Sequence, residues 1–177
     1  TGDEVFRGET PPSTLPPGNY TIYLKLTSNH IWTEEVTTTL LVHQRPVATI
    51  ETLSPGVALE GEELLFTAGG TDDGNVVRYS WTSSLDGELH NGSKDSFTMD
   101  SLSTGHHTIV LTVQDEHGAW SHEVSGEVVV HTAPTAEILS ITPGIALDTR
   151  TIQFTGEGSD DGTIQRYLWR TGFQELY

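Results

Sequence analysis

Apolar and polar residues alternate with a period of two along much of the chain. In His107-Thr-Ile-Val-Leu-Thr-Val113, the residues His107, Ile109, Leu111 and Val113 fall on one face. Upstream, Tyr20, Ile22, Leu24 and Leu26 do the same, with Thr21, Tyr23 and Lys25 turned away. Successive side chains of a strand point to opposite faces, so this pattern marks half-buried antiparallel strands. The same reading predicts strands over 47–53, 62–68, 76–82, 95–99, 119–130, 135–141, 150–156 and 164–170, separated by Gly-rich or Asp-Gly turns. No segment sustains a 3.6-residue apolar period, and Pro or Gly interrupts each candidate helix.

The pattern is reused. Pro46-Val-Ala-Thr-Ile-Glu-Thr-Leu-Ser-Pro-Gly-Val-Ala-Leu59 returns as Pro134-Thr-Ala-Glu-Ile-Leu-Ser-Ile-Thr-Pro-Gly-Ile-Ala-Leu147, a shift of about 88 positions that also carries Phe66 to Phe154, Asp72-Asp73-Gly74 to Asp160-Asp161-Gly162, and Trp81 to Trp169. Leu102–Val113 aligns in turn with Leu15–Leu26, and Trp120 and Val130-His131 with Trp32 and Val42-His43. One complete unit is therefore expected over 46–133, preceded by the back half of a unit (1–45) and followed by a front half (134–177). Two readings fit this division. The chain is a stretch of a longer tandem array, or the halves complement each other between chains, because half a sandwich leaves unpaired edges and an uncovered apolar face.

About seven strands per unit predict an all-β fold, an immunoglobulin-like antiparallel β-sandwich repeated in tandem. Trp81 and Trp169 fall in mid-strand, where core packing is expected. Tyr20 follows a Leu-Pro-Pro-Gly turn, where a sandwich tyrosine bonds back to the preceding turn; the complete unit has His107 there, so an altered corner is expected. Pro46 and Pro134 open their units and stiffen the junctions.

The combination of Pro46…Ala48, Gly70-Thr-Asp-Asp-Gly74, Tyr79-Ser-Trp81, Leu102-Ser-Thr-Gly105 and Val113-Gln-Asp-Glu-His-Gly118 resembles the PKD (polycystic kidney disease) domain family, over nearly the whole chain. The family's Trp-Asp-Phe-Gly-Asp-Gly run is replaced by Trp81-Thr-Ser-Ser-Leu-Asp-Gly87, which is similar to the divergent PKD-like modules of prokaryotic surface and secreted proteins. The resemblance implies a spacer, adhesion or protein-contact module, extracellular or at the cell surface, and without catalysis.

Composition narrows the partners. Lys and Arg number 8 against 25 Asp and Glu, giving a formal charge of −17, which disfavours nucleic acid and anionic membranes. No apolar run is long enough to insert in a bilayer. Cysteine is absent, which removes thiol chemistry, disulfides and Cys-based zinc sites. The expected partners are a protein or carbohydrate at a cell surface, or a second copy of the chain through exchange of half-domains.

Catalytic patterns are wanting. There is no Gly-x-Ser-x-Gly elbow, and His122-Glu123 begins a zincin-like motif that continues Val-Ser-Gly without the second His. No cofactor is required. Calcium is the cation to consider, since Asp72 and Asp73 lie on one loop and Asp115 and Glu116 on another, and hard cations take several oxygens from flexible loops. Asp160 and Asp161 repeat the first pair, while the counterpart of Asp115 is Ser28. The resemblance to calcium-binding PKD modules supports such a site; the alternative is that these residues cap turns. The recurring His43/His131 and His30/His117 read as structural positions. Trp32 and Trp120, which recur just after the acidic loop, are candidate contact residues for a substrate-binding accessory domain, or inter-domain packing residues. Asn19 and Asn91 head Asn-x-Ser/Thr acceptors for glycosylation, in expected turns.

Overall fold

A computed structural model describes residues 14–172, so the ends of the first and last expected units lie outside the described residues. Every regular element within them is a strand. β1 (Gly18–Leu24) pairs antiparallel with β4 (Val36–Val42), and the tiny hairpin of β2 (Thr27–Ser28) and β3 (Ile31–Trp32) lies between them in sequence. Its two-residue loop, Asn29-His30, takes positive φ at both positions, the backbone of a tight hairpin turn.

The middle of the chain builds a two-layer sandwich. One sheet has the order β10 (Ser96–Met99), β7 (Leu64–Thr71), β5 (Val47–Ser54). The other runs β6 (Val57–Leu59), β12 (Val124–His131), β11 (Gly105–Asp115), β8 (Val76–Ser83), β9 (Gly87–Gly92). All neighbours are antiparallel except β6 and β12. The chain leaves β5 at Ser54 and joins the opposite sheet at Val57, so one stretch of sequence ties both layers at their edges. This is the immunoglobulin-like arrangement expected from the alternation.

The core follows from that alternation. In β11 every second residue (His107, Ile109, Leu111, Val113 and Asp115) is buried. Of these, Ile109, Leu111 and Val113 join Ala48, Leu64, Phe66, Ala68, Trp81, Leu102, Val128 and Val130 in one apolar cluster. Phe66 stacks on Phe97 at 4.7 Å between ring centroids and meets Trp81 edge-on at 5.7 Å, the offset and T-shaped contacts that aromatic quadrupoles prefer. Removing a buried aromatic of this kind costs about 3–5 kcal/mol.

The corner before β11 corrects the expectation of an altered bond. In the first unit the Tyr20 hydroxyl donates to the Pro16 carbonyl at 2.7 Å. In the central unit His107 Nε2 donates to the Ser103 carbonyl, also four residues back and also at 2.7 Å. The imidazole has a second nitrogen, and this Nδ1 lies 2.8 Å from Ser83 Oγ. That oxygen already accepts the N–H groups of Leu85 and Asp86, so its own hydrogen points to Nδ1. The histidine preserves the corner and adds a cross-link to the end of β8.

Past the sandwich, β13 (Thr135–Thr142) pairs with β14 (Gln153–Ser159). The register runs from Thr135↔Ser159, with an irregularity between Ile138 and Ser140. In the central unit it runs from Val47↔Thr71, with its irregularity between Ile50 and Thr52. The local geometry thus follows the sequence shift residue by residue. Three strand expectations need adjustment. The stretch 164–170 forms no strand; the strand expected over 119–130 begins only at Val124, since Trp120 makes just an isolated bridge to Gln114 and 121–123 is irregular; and β6 and β9 carry no alternation that would announce them.

Candidate metal centre

The acidic loops come together at the end of the sandwich where β11 stops. Glu116 N–H donates to the Asn75 carbonyl at 3.0 Å, and Asn75 Nδ2 donates to Glu116 Oε2 at 2.9 Å, so the 72–75 and 115–118 loops are neighbours. Each aspartate has a backbone task. Asp72 Oδ2 accepts the Gly74 N–H at 3.0 Å, and Asp160 Oδ2 accepts the Gly162 N–H at 3.1 Å. Asp115 Oδ1 accepts the N–H groups of His117 and Ala119 at 2.9 and 2.8 Å, while Gly118 takes φ of +92° to close the turn. An added Cβ at that φ would be strained, which is why Asp-x-x-Gly makes this turn.

The second member of each acidic pair reaches to the junction before its unit. The Asp73 carboxylate accepts the Gln44 N–H at 3.2 Å, and Asp161 Oδ2 accepts the Thr132 N–H at 3.3 Å and faces His131 Nδ1 at 3.1 Å. The Arg45 guanidinium donates to the Trp120 carbonyl at 3.0 Å, and Pro46 is fully buried.

Some of these oxygens remain without a donor. Asp72 Oδ1, Asp115 Oδ2 and Asp160 Oδ1 are buried and have no hydrogen-bond partner. Burial by itself would push the Asp115 carboxyl up; the Ala119 and His117 N–H groups, the His43 ring and the Gly118 N–H outweigh it and hold it below the ordinary carboxylate range. Asp161 is likewise held low, with burial opposed by its bond to His131 and the Thr132 N–H.

Among the described residues, one group of three His or acidic side chains converges: His43, Asp115 and His117, with ligand atoms all within 4.8 Å of one another. Asp72 and Asp73 do not belong to it, nor do Asp160 and Asp161. Calcium wants six to eight oxygens; two imidazoles and one carboxylate are a different donor set. The recurrence of His43 and His117 between units pointed to structural roles, and neither pattern nor spacing joins residues 43 and 117. Only the return of β11 beside the junction does so.

The remaining candidates are scattered. Trp32 lies in β3 and is 61% exposed, whereas Trp120 is half-buried and bridges Gln114. Asn19 and Asn91 are exposed, but they lie in β1 and β9 and not in turns, because the strands begin earlier and extend further than their apolar residues indicate. Ser83 and His107 have the spacing of a nucleophile and its base, yet both are buried and the second ring nitrogen is committed to the Ser103 carbonyl.

Comparison with known proteins places the central sandwich. Residues 48–128 match the family model of the PKD domain. The match takes in β6 to β11 and most of β5 and β12, the strands of the central sandwich. No curated protein matches the chain. Similar solved structures include fibronectin(III)-like modules of Clostridium thermocellum CbhA, at 18% identity and a TM-score of 0.47 over 66% of this chain and 64% of that one. Carbohydrate-binding modules of the β-sandwich superfamily give 22% and 0.45 over 66% and 57%, and the N-terminal four Ig domains of Dscam1 isoform 8.4 give 22% and 0.36 over 64% and 27%. The chain therefore spans less than two thirds of each. Among the described residues no helix is long and apolar enough to cross a membrane.

Proposed function

We propose that this chain is a non-catalytic extracellular module in which PKD-like sandwiches follow one another as a stiff spacer that presents or contacts a protein or carbohydrate at a cell surface. The observation that carries this reading is the pair of tied junctions. Gln44 and Thr132 stand at equivalent positions, and each donates its backbone N–H to the second aspartate of the following Asp-Asp-Gly loop. A linker with its backbone bonded to the next unit, its Arg45 bonded to Trp120 and its Pro46 buried has little freedom to hinge. Spacing then becomes a property of the fold and needs no pocket. Calcium at the unpartnered Asp72 and Asp160 oxygens belongs to the same reading, as a further brace of these loops.

The absence of cysteine makes the test direct, because introduced thiols are the only ones to label. Spin labels at Thr38→Cys and Ser125→Cys, on β4 and β12, are expected to give one narrow distance distribution by pulsed electron resonance. Asp73→Ala should broaden it. A broad distribution in the unsubstituted junction would overturn the spacer reading.

A second reading, self-association, is favoured by the exposed apolar residues of the outer strand pairs: Ile22, Leu24 and Leu40 on β1 and β4, and Ile138, Ile141 and Phe154 on β13 and β14. Such faces are what another sheet covers in a sandwich.

A further inference from the structure

His43 and the pair Asp115 and His117 come from stretches of chain far apart in sequence, the junction after β4 and the turn after β11. Asp115 is 1% exposed. One of its oxygens is saturated by two turn N–H groups, and the other, Oδ2, is buried without a hydrogen-bond donor and lies 3.1 Å from His43 Nδ1. That nitrogen is also 3.1 Å from the Gln44 carbonyl, and the His43 and His117 rings lie 4.6 Å apart at 32°. A buried carboxylate oxygen with no hydrogen-bond donor is costly, and beside it stands only the His43 ring, so a cation held between ring and carboxylate completes its neutralisation.

We propose that His43, Asp115 and His117 bind one divalent transition-metal ion of the zinc class, which fastens the junction to the 115–119 turn. Two imidazole nitrogens and a carboxylate oxygen suit zinc and its neighbours, and three protein ligands leave a fourth position open. Bonds of about 2.0–2.1 Å place tetrahedral ligand atoms roughly 3.4 Å apart. His43 is half-buried and His117 exposed, so small ring rotations close the site while Asp115, fixed by its turn, stays in place. The turn N–H bonds to Oδ1 act as the outer contacts that orient a ligating carboxylate. The upstream stretch has Ser28 at the Asp115 position and so lacks this carboxylate.

The full chain, freed of metal, is titrated with zinc chloride by calorimetry and with cobalt(II) by visible absorption, whose ligand-field bands report nitrogen and oxygen coordination. One equivalent is expected to bind. His43→Ala and His117→Ala should each weaken binding at least about tenfold, while His122→Ala, at an exposed residue outside the group, leaves it unchanged. Both histidine variants remove exposed or half-exposed rings and keep the Asp115 turn. Failure of zinc to bind, or binding that survives both histidine substitutions, overturns the proposal. So does displacement of cobalt by calcium chloride, since that assigns the site to an oxygen-ligated cation. The readout is metal affinity and not linker stiffness, so its failure is distinguishable from failure of the spacer reading.

Discussion

Phe66 and Phe154 occupy the same place in the repeated pattern, on strands with the same register, yet Phe66 is fully buried and Phe154 is 39% exposed. Trp81 and Trp169 differ in the same way: Trp81 is sealed between Phe66 and Phe97, whereas Trp169 touches Phe154 at 5.6 Å and stays half-buried. Local sequence sets which face of a strand is apolar and how two neighbouring strands align. Burial needs a second layer, and β11 and β12 provide it for β5 and β7. Amphipathicity is thus a local property and core formation a cooperative one.

The largest effect should come from testing that contrast directly. Trp81→Ala is expected to destabilise the chain by about 3–5 kcal/mol in urea unfolding, and Trp169→Ala by about 1 kcal/mol or less, since the cost scales with the contacts and cavity left behind. Equal costs would mean that the outer strand pair is as firmly packed as the sandwich.

The two corners sharpen the comparison at intermediate size. His107→Ala removes a fully buried ring and strands both the Ser103 carbonyl and the Ser83 hydroxyl, an expected loss of about 2–3 kcal/mol. Tyr20→Phe deletes only the hydroxyl at a half-exposed corner and should cost about 1 kcal/mol. A reversed order in thermal unfolding would show that the histidine corner is incidental.

The smallest stability effect is expected on the outer face. Phe154→Ser should change unfolding by less than about 1 kcal/mol, but it should lower self-association measured by light scattering as concentration rises. A monomer at every concentration in the unsubstituted chain would remove the self-association reading.

Some of the molecule was legible in one dimension because its cause is local. The alternation of β11, the corner hydroxyl of Tyr20 and the Asp115–Gly118 turn each depend on residues within a few positions. β9 was not legible: Gly-Glu-Leu-His-Asn-Gly has no apolar period, and its extended form comes from pairing along β8. The stretch 164–170 lies one repeat shift from β8 and, apart from a bridge at Arg170, still forms no strand, because β-propensity is realised only along a pairing neighbour. His43 and His117 were visible as recurring residues, but nothing along the chain brings them to one carboxylate.

The sequence by itself determined an all-β fold, the strand faces and the reuse of one pattern, since period-two alternation and turn chemistry act over a few residues. Tertiary structure alone decided how the junctions are bonded to the stretch that follows and which acids and histidines converge. Those outcomes depend on where distant strands return, and a carboxylate left without a donor exists only after they have.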